Sequence, residues 1–265
     1  MTEFTLQELK DIELNLLCVF DAFCKKHNIQ YFLSNGTLLG AVKYKGHIPW
    51  DDDLDIFVPR EDYNHLLEVF KDTEQYRLYA FERNSDYRYP FAKLCDMTTK
   101  KVEKGVISLV DLGVDIDIFP LDAWDSDIKK ARREALRIRQ QMFFLGLSKT
   151  DKVYSRTRTK YIVKLFLRVY CKIVGSKYFV KNIIRKSTNQ QDTKYLGCKA
   201  WCIYRDKEII PAEVFSETIE VEFEGHKFPA PIGYDTYLRS LYGDYEKDPP
   251  KEKQKTHHRF RAYRR

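Results

Sequence analysis

The stretch Val114-Asp115-Ile116-Asp117-Ile118 leaves the chain least freedom. In a strand, side chains alternate between faces, so the β-branched residues take one face and Asp115 and Asp117 the other. An acid held between apolar neighbours is costly unless a metal or hydrogen bonds compensate it. An earlier stretch repeats the pattern: Asp51, Asp52, Asp53 and Asp55 put four aspartates into five positions, just after Trp50. Leu54 to Val58 reads as a strand stopped by Pro59, with Asp53 and Asp55 on one face. The bland alternative is an acidic turn before an edge strand, plus an unrelated exposed face at 114–118. Two acidic strands in one chain favour a sheet that gathers carboxylates around a cation.

The remaining pattern supplies a frame for such a sheet. Leu9, Ile12, Leu16, Val19, Phe20 and Phe23 recur at helical spacing over residues 5–27, ending in the cationic turn Lys25-Lys26-His27. A short strand over 29–33 is broken by Ser34-Asn35-Gly36-Thr37, which could cap a helix over 38–43. Further helices are expected over 62–70, 128–144 and 234–241, strands over 77–82 and 91–95, and a hairpin over 218–228 turning at Glu224-Gly225-His226. Strands mixed with helices argue for an α/β or α+β fold around one sheet. The six cysteines are scattered through apolar contexts and read as buried, reduced thiols. Cys198 and Cys202 lack a second pair at zinc-finger spacing.

Two features combine into chemistry. Gly36-Thr37 opens a helix directly after a strand, where backbone N–H groups can hold a phosphate. Carboxylates at i and i+2, Asp53 and Asp55, can ligate one or two Mg²⁺, a hard ion that prefers carboxylate and phosphate oxygens. A third carboxylate comes from the strand at 114–118. The spacing departs from a calcium-binding loop, because no glycine follows at the required turn.

Gly36-Thr37-Leu38-Leu39-Gly40-Ala41-Val42-Lys43, Ile48-Pro49-Trp50-Asp51-Asp52-Asp53-Leu54-Asp55-Ile56 and Asp115-Ile116-Asp117-Ile118-Phe119-Pro120-Leu121-Asp122 together resemble the nucleotidyltransferase pattern. More specifically, they resemble the LicD family of phosphorylcholine transferases, related to fukutin-type phosphopentitol transferases. Phe223-Glu224-Gly225-His226-Lys227-Phe228, Tyr234-Asp235, Tyr242-Gly243-Asp244-Tyr245 and His257-His258 extend the likeness. The resemblance implies a nucleotidyltransferase-like mixed β-sheet core over 1–150, and the charge pattern adds a basic amphipathic helical insertion over 151–192. Residues 193–265 are then expected to complete the fold and the active site. It also implies a CDP-choline donor, a sugar hydroxyl of a cell-envelope glycan precursor (of teichoic acid or lipopolysaccharide type) as acceptor, and release of CMP. Asp53, Asp55 and Asp117 are then the expected Mg²⁺ (or Mn²⁺) ligands, and Asp117 completes the metal site or takes the acceptor proton. Asp52 has a stronger claim than Asp51 to a direct role, as a ligand, a base or a cap for the turn. Lys43 and Lys93 are candidates for balancing phosphate charge. The expectation for Trp50 is core packing, and one of His257 and His258 is expected to return to the site. Transfer of ribitol or glycerol phosphate from another cytidine diphosphate alcohol, transfer of the nucleotide itself, and a non-catalytic membrane-surface scaffold are the competing readings.

Charge adds one constraint. Eleven Lys or Arg and no Asp or Glu lie between Lys152 and Gln191, out of 46 basic and 39 acidic residues, so the remainder is mildly acidic. Lys160, Lys164, Arg168 and Lys172 repeat every four residues beside Ile162, Phe166, Val169 and Ile173. This describes either an ordinary surface helix or, over 156–186, an interfacial helix for anionic lipid, as a lipid-linked acceptor would require. No aromatic interleaving suggests nucleic acid. No signal peptide or apolar run of membrane-spanning length is evident, so the expectation is a cytoplasmic protein, peripheral at the inner face of the cell membrane.

Overall fold

The computed structural model describes residues 2–155, 157–188, 194–256 and 260–265, so His257 and His258 lie outside the described residues. Helix α1 (Leu6–His27) starts at Thr5, whose side chain accepts from the Glu8 N–H while Glu8 reaches back to the Thr5 N–H. Asn28, in the left-handed region, ends it. The short β1 (Phe32–Leu33), helix α2 (Asn35–Tyr44), β2 (Asp55–Pro59) and α3 (Arg60–Val69) follow. Then come β3 (Tyr76–Tyr79) and the two long strands β4 (Ala92–Glu103) and β5 (Leu112–Ala123). Three helices, α4 (Ile128–Lys149), α5 (Arg158–Val174) and α6 (Ser176–Ser187), form a separate layer. The chain closes with β6 (Tyr195–Gly197), β7 (Ile210–Pro211), the hairpin β8 (Thr218–Phe223) and β9 (His226–Pro231), α7 (Tyr234–Tyr242) and β10 (Phe260–Arg264).

Eight of these strands form one mixed sheet with the path β1-β2-β5-β4-β10, while β3 pairs with β4 and β6 joins β5 to β7. The β2–β5 pair is parallel and its neighbours are antiparallel. The alternation read from the sequence sorts the central strands. Ile56, Val58, Ile116 and Ile118 are fully buried within the main core. On the opposite parity Asp55 and Asp117 are followed by Phe57 and Phe119, whose rings meet at 6.5 Å and contact Phe215, Tyr237 and Phe91. The acidic row is thus walled on its own face by aromatics, each worth roughly 2–3 kcal/mol of burial. Strand β4 changes register between Asp96 and Lys101. There the backbone comes so close to Gly113 that a Cβ would stand 1.9 Å from the Asp96 carbonyl oxygen.

The strand expected at 91–95 runs on to Glu103, and β6, β7 and β10 carry no alternation long enough to read in advance. All six cysteines are unpaired, and all but Cys18 are buried. In the helical layer, α5 turns Leu167, Cys171 and Val174 toward α4 and α6. Its other apolar stripe does not pack on the protein: Phe166 is 72% exposed and Ile173 81%, with Ile162 and Val169 also exposed. The ordinary surface-helix reading placed the apolar side on the core, and this stripe departs from it.

Candidate active site

Parallel pairing brings the two acidic stretches together. Asp55 of β2 and Asp117 of β5 are register partners, and Lys93 of β4 is the register partner of Asp117 on the other side. Register partners point to the same face, so the sheet carries a row of acid, acid and base across three strands. Lys93 Nζ donates to Asp115 Oδ1 at 2.7 Å and also pairs with Asp117 Oδ1, while Lys101 Nζ lies 3.0 Å from Asp115 Oδ2. Asp53 precedes β2, which opens at Asp55, so Asp53 and Asp55 do not share a strand as the sequence pattern suggested. The carboxylates of Asp51, Asp52 and Asp53 lie within 4.8 Å of one another.

Helix α2 brings its first turn to this cluster. The Ser34 N–H donates to the Asp55 carbonyl at 3.1 Å, and the Asp55 N–H donates to the buried Thr37 hydroxyl at 2.7 Å. A Cβ on Gly36 would stand 2.9 Å from Asp51 Oδ2, so glycine leaves that carboxylate its room. Two cavities meet at Asp53. The larger, about 660 Å³, is lined by Gly36, Lys43, Asp51, Asp53 and Asp55 together with the rings of Tyr44, Trp50, Tyr204, Tyr242 and Tyr245. The second, about 290 Å³, is lined by Asp53, Asp115 and Asp117, three lysines (93, 101 and 104), and Trp201.

Electrostatics split the aspartates into two groups. Burial, then the charges of Asp53, Asp117 and Asp51, push the Asp55 carboxyl well above the usual range, against a hydrogen bond from Asn35. Asp117 is raised as well, because burial, helped by Asp115, outweighs Lys93. For Asp115, burial also favours the neutral form, but Lys101 and Lys93 outweigh it and hold the carboxyl at about 2. Lys93 is in turn pushed up: burial opposes its charge, and Asp115 and Asp117 overcome that.

The site residues expected from sequence fall in different places. Asp55, Asp117 and Lys93 share one face of the sheet, Asp53 lies just before β2 and lines both cavities, and Gly36 and Lys43 line the larger one. Lys43 Nζ pairs with Asp248 and donates to the Tyr245 carbonyl at 3.3 Å. Asp52 is buried and lines neither cavity, whereas Asp51 does line one. Trp50, expected in the core, is half-buried on the cavity wall beside Tyr44. The histidine pair lies outside the described residues.

Sequence reasoning missed Lys101 and Tyr204, because only tertiary folding brings them to the site, and it gave Tyr242 and Tyr245 as motif residues without a place on the cavity wall. It also missed the clamp on the loop that delivers the aspartates. Lys10 Nζ donates to the Ile48 and Pro49 carbonyls at 3.0 and 3.1 Å. Glu224, at the β8–β9 turn, accepts from the His47 N–H at 2.9 Å, and buried Glu13 lies 3.7 Å from His47 Nε2. The close carboxylates of Asp51, Asp52 and Asp53, with Asp55 and Asp117 paired on the adjoining strands, are hard oxygen donors of the kind that Mg²⁺ or Mn²⁺ takes.

Comparison with known proteins identifies the family. Residues 28–144, which contain α2, β2, β4 and β5, match the family described as LicD/FKTN/FKRP, nucleotidyltransferase domain. Over 99% of both chains the protein is 33% identical to the lipopolysaccharide cholinephosphotransferase LicD of Haemophilus influenzae. A shorter match, 52% identical over 50 residues and 19% of each chain, links it to an uncharacterized protein of Rickettsia prowazekii. With near-complete coverage of that Haemophilus enzyme, the chain belongs to the LicD family of phosphorylcholine transferases.

Proposed function

We propose that the protein transfers phosphocholine from CDP-choline to a sugar hydroxyl of a cell-envelope glycan precursor of teichoic acid or lipopolysaccharide type, releasing CMP. The carrying observation is the convergence of Asp53, Asp55 and Asp117 where two cavities meet, one lined by aromatic rings and one by lysines. Asp53, Asp55 and Asp117 would hold Mg²⁺ (or Mn²⁺), which when bound draws charge from the donor phosphates. Thr37 fixes Asp55 through its backbone N–H, and Lys93 fixes Asp117 from the other side. Aromatic faces in the larger cavity suit both a cytosine ring and a quaternary ammonium. The acceptor oxygen attacks the phosphorus that bears choline, and the bond from that phosphorus to CMP breaks. The acceptor proton passes to the carboxylate cluster, and CMP departs with the bonding electron pair.

A lipid-linked acceptor would bring the enzyme to the anionic inner face of the cell membrane. Among the described residues no helix is long and apolar enough to cross a membrane, so contact there would be peripheral. The test is incubation with Mg²⁺, a lipid-linked glycan extract and, in parallel, CDP-choline, CDP-ribitol and CDP-glycerol. CMP from CDP-choline, with choline phosphate on the glycan, is the expected result. CMP only from another donor would reassign the alcohol, and pyrophosphate release from a nucleoside triphosphate would point to nucleotidyl transfer.

A further inference from the structure

The α5 helix leaves its apolar stripe in solvent. Ile162, Phe166, Val169 and Ile173 recur at i, i+4, i+7 and i+11, which places them on one side of the helix. Phe166 and Ile173 are mostly exposed, and Tyr161 and Tyr170 flank the ridge at 43% and 54%. Packing inside the protein does not account for the ridge, since Leu167, Cys171 and Val174 already serve the opposite face. An apolar patch of this extent on a surface marks an interaction site.

Charge selects the occupant. Lys160, Lys172, Lys181 and Arg185 are exposed on α5 and α6. No carboxylate among the described residues forms an ion pair with Lys160, Lys164, Arg168 or Lys172. A second copy of the chain would set the same acid-free segment, with its eleven Lys and Arg, against itself. An anionic lipid surface meets both requirements, taking the apolar ridge into its acyl boundary while exposed Lys172, about a quarter-turn from the ridge, reaches its headgroups.

The helix is also tied to the lysine-lined cavity. Val106, on the cavity wall, bridges to Thr150, and Arg168 of α5 donates to the Asp151 carbonyl. We infer that α5 is a membrane-docking helix that inserts the ridge Ile162-Phe166-Val169-Ile173 into an anionic bilayer surface. Docked in this way, it holds the lysine-lined cavity beside that surface. The second half of this inference rests on the reading of a lipid-linked acceptor; the first half does not.

Sedimentation with vesicles of equimolar phosphatidylcholine and phosphatidylglycerol tests the docking without donor or turnover. Wild type is expected to pellet with them and not with pure phosphatidylcholine vesicles, and to stay partly bound at high salt, because insertion is not screened. Phe166→Ser with Ile173→Ser, both exposed, should lower the partition coefficient on the order of tenfold or more while the circular dichroism is unchanged. Lys172→Glu should weaken binding at low salt. Equal pelleting of wild type and the Phe166/Ile173 variant would overturn the proposal. So would a wild-type dimer in light scattering that this variant dissolves, since the ridge would then belong to a second copy. CMP release by the same variant should fall with acceptor in vesicles and hold with acceptor dispersed in detergent. If no protein releases CMP but wild type still pellets through the ridge, the transferase reading fails and the docking stands.

Discussion

Asp115 and Asp117 lie two residues apart on one strand and one face, yet their surroundings drive their carboxyls in opposite directions. At the Asp115 end the sheet is closed: two lysines balance the charge, and the carboxyl is held at about 2. At the end shared by Asp53, Asp55 and Asp117 the negative charges outnumber Lys93, and the Asp55 carboxyl is pushed far up. The contrast separates an acid paired with lysines from acids crowded by like charges. A buried acid that is already paired stabilises the fold, and one crowded by like charges is the kind of group that the proposed transfer would use.

The contrast can be broken at either end. Asp53→Asn or Asp55→Asn should cut turnover on the order of 10³-fold or more, as expected when charge stabilisation at the reacting phosphate is lost. The Asp55→Asn protein should nevertheless melt higher than wild type at neutral pH without divalent ion, because one repelling charge is gone. A raised carboxyl erodes stability as pH climbs through and above the ordinary carboxylate range, so this gain should vanish in acid. Melting curves with and without Mg²⁺ check the point, since the ion should raise wild type more than the variant.

Asp115→Asn should behave the other way. It leaves Lys93 and Lys101 short of a buried partner, and urea unfolding at neutral pH should show a loss of about 3–5 kcal/mol. A carboxyl held low stabilises above the ordinary range and loses that contribution as pH falls toward about 2, so the deficit should shrink in acid. The smallest expected effect is at Thr37→Val, which leaves the Asp55 N–H without its acceptor. It should cost about 1–3 kcal/mol in stability and lower turnover modestly, with the Mg²⁺ requirement retained.

What the sequence disclosed follows the same division. The acidic strands were legible because alternation of β-branched residues with carboxylates has a period of two, a local signal that survives without any tertiary knowledge. The helices at 128–149 and 158–187 were legible in outline for the same reason, with their charges on view. The pairing of Asp115 with Lys93 and Lys101 was not, since each lysine reads as one among many until the β4 register is known. Nor was the outward turn of α5, because an amphipathic pattern does not say which neighbour receives the apolar side. Trp50 was misplaced because a tryptophan after a helix reads as core, while here the clamped loop carries it to a cavity wall. Glu224 stood in a recognisable turn, but its grip on His47 depends on a loop far away in the chain.

The β2–β5 pair holds two like charges at one end and an opposite pair at the other. One step beyond Pro59 and Leu121, Arg60 grips Asp122 through two hydrogen bonds of 2.7 and 2.9 Å, and that acid is almost fully buried. Repulsion between Asp55 and Asp117 disfavours this register, and a slip of one strand by one residue would carry its aspartate to the opposite face from the other. The fork at the far end therefore pins the register. In thermodynamic terms, an attractive contact at one end of the ladder offsets the repulsion that the same register imposes at the other.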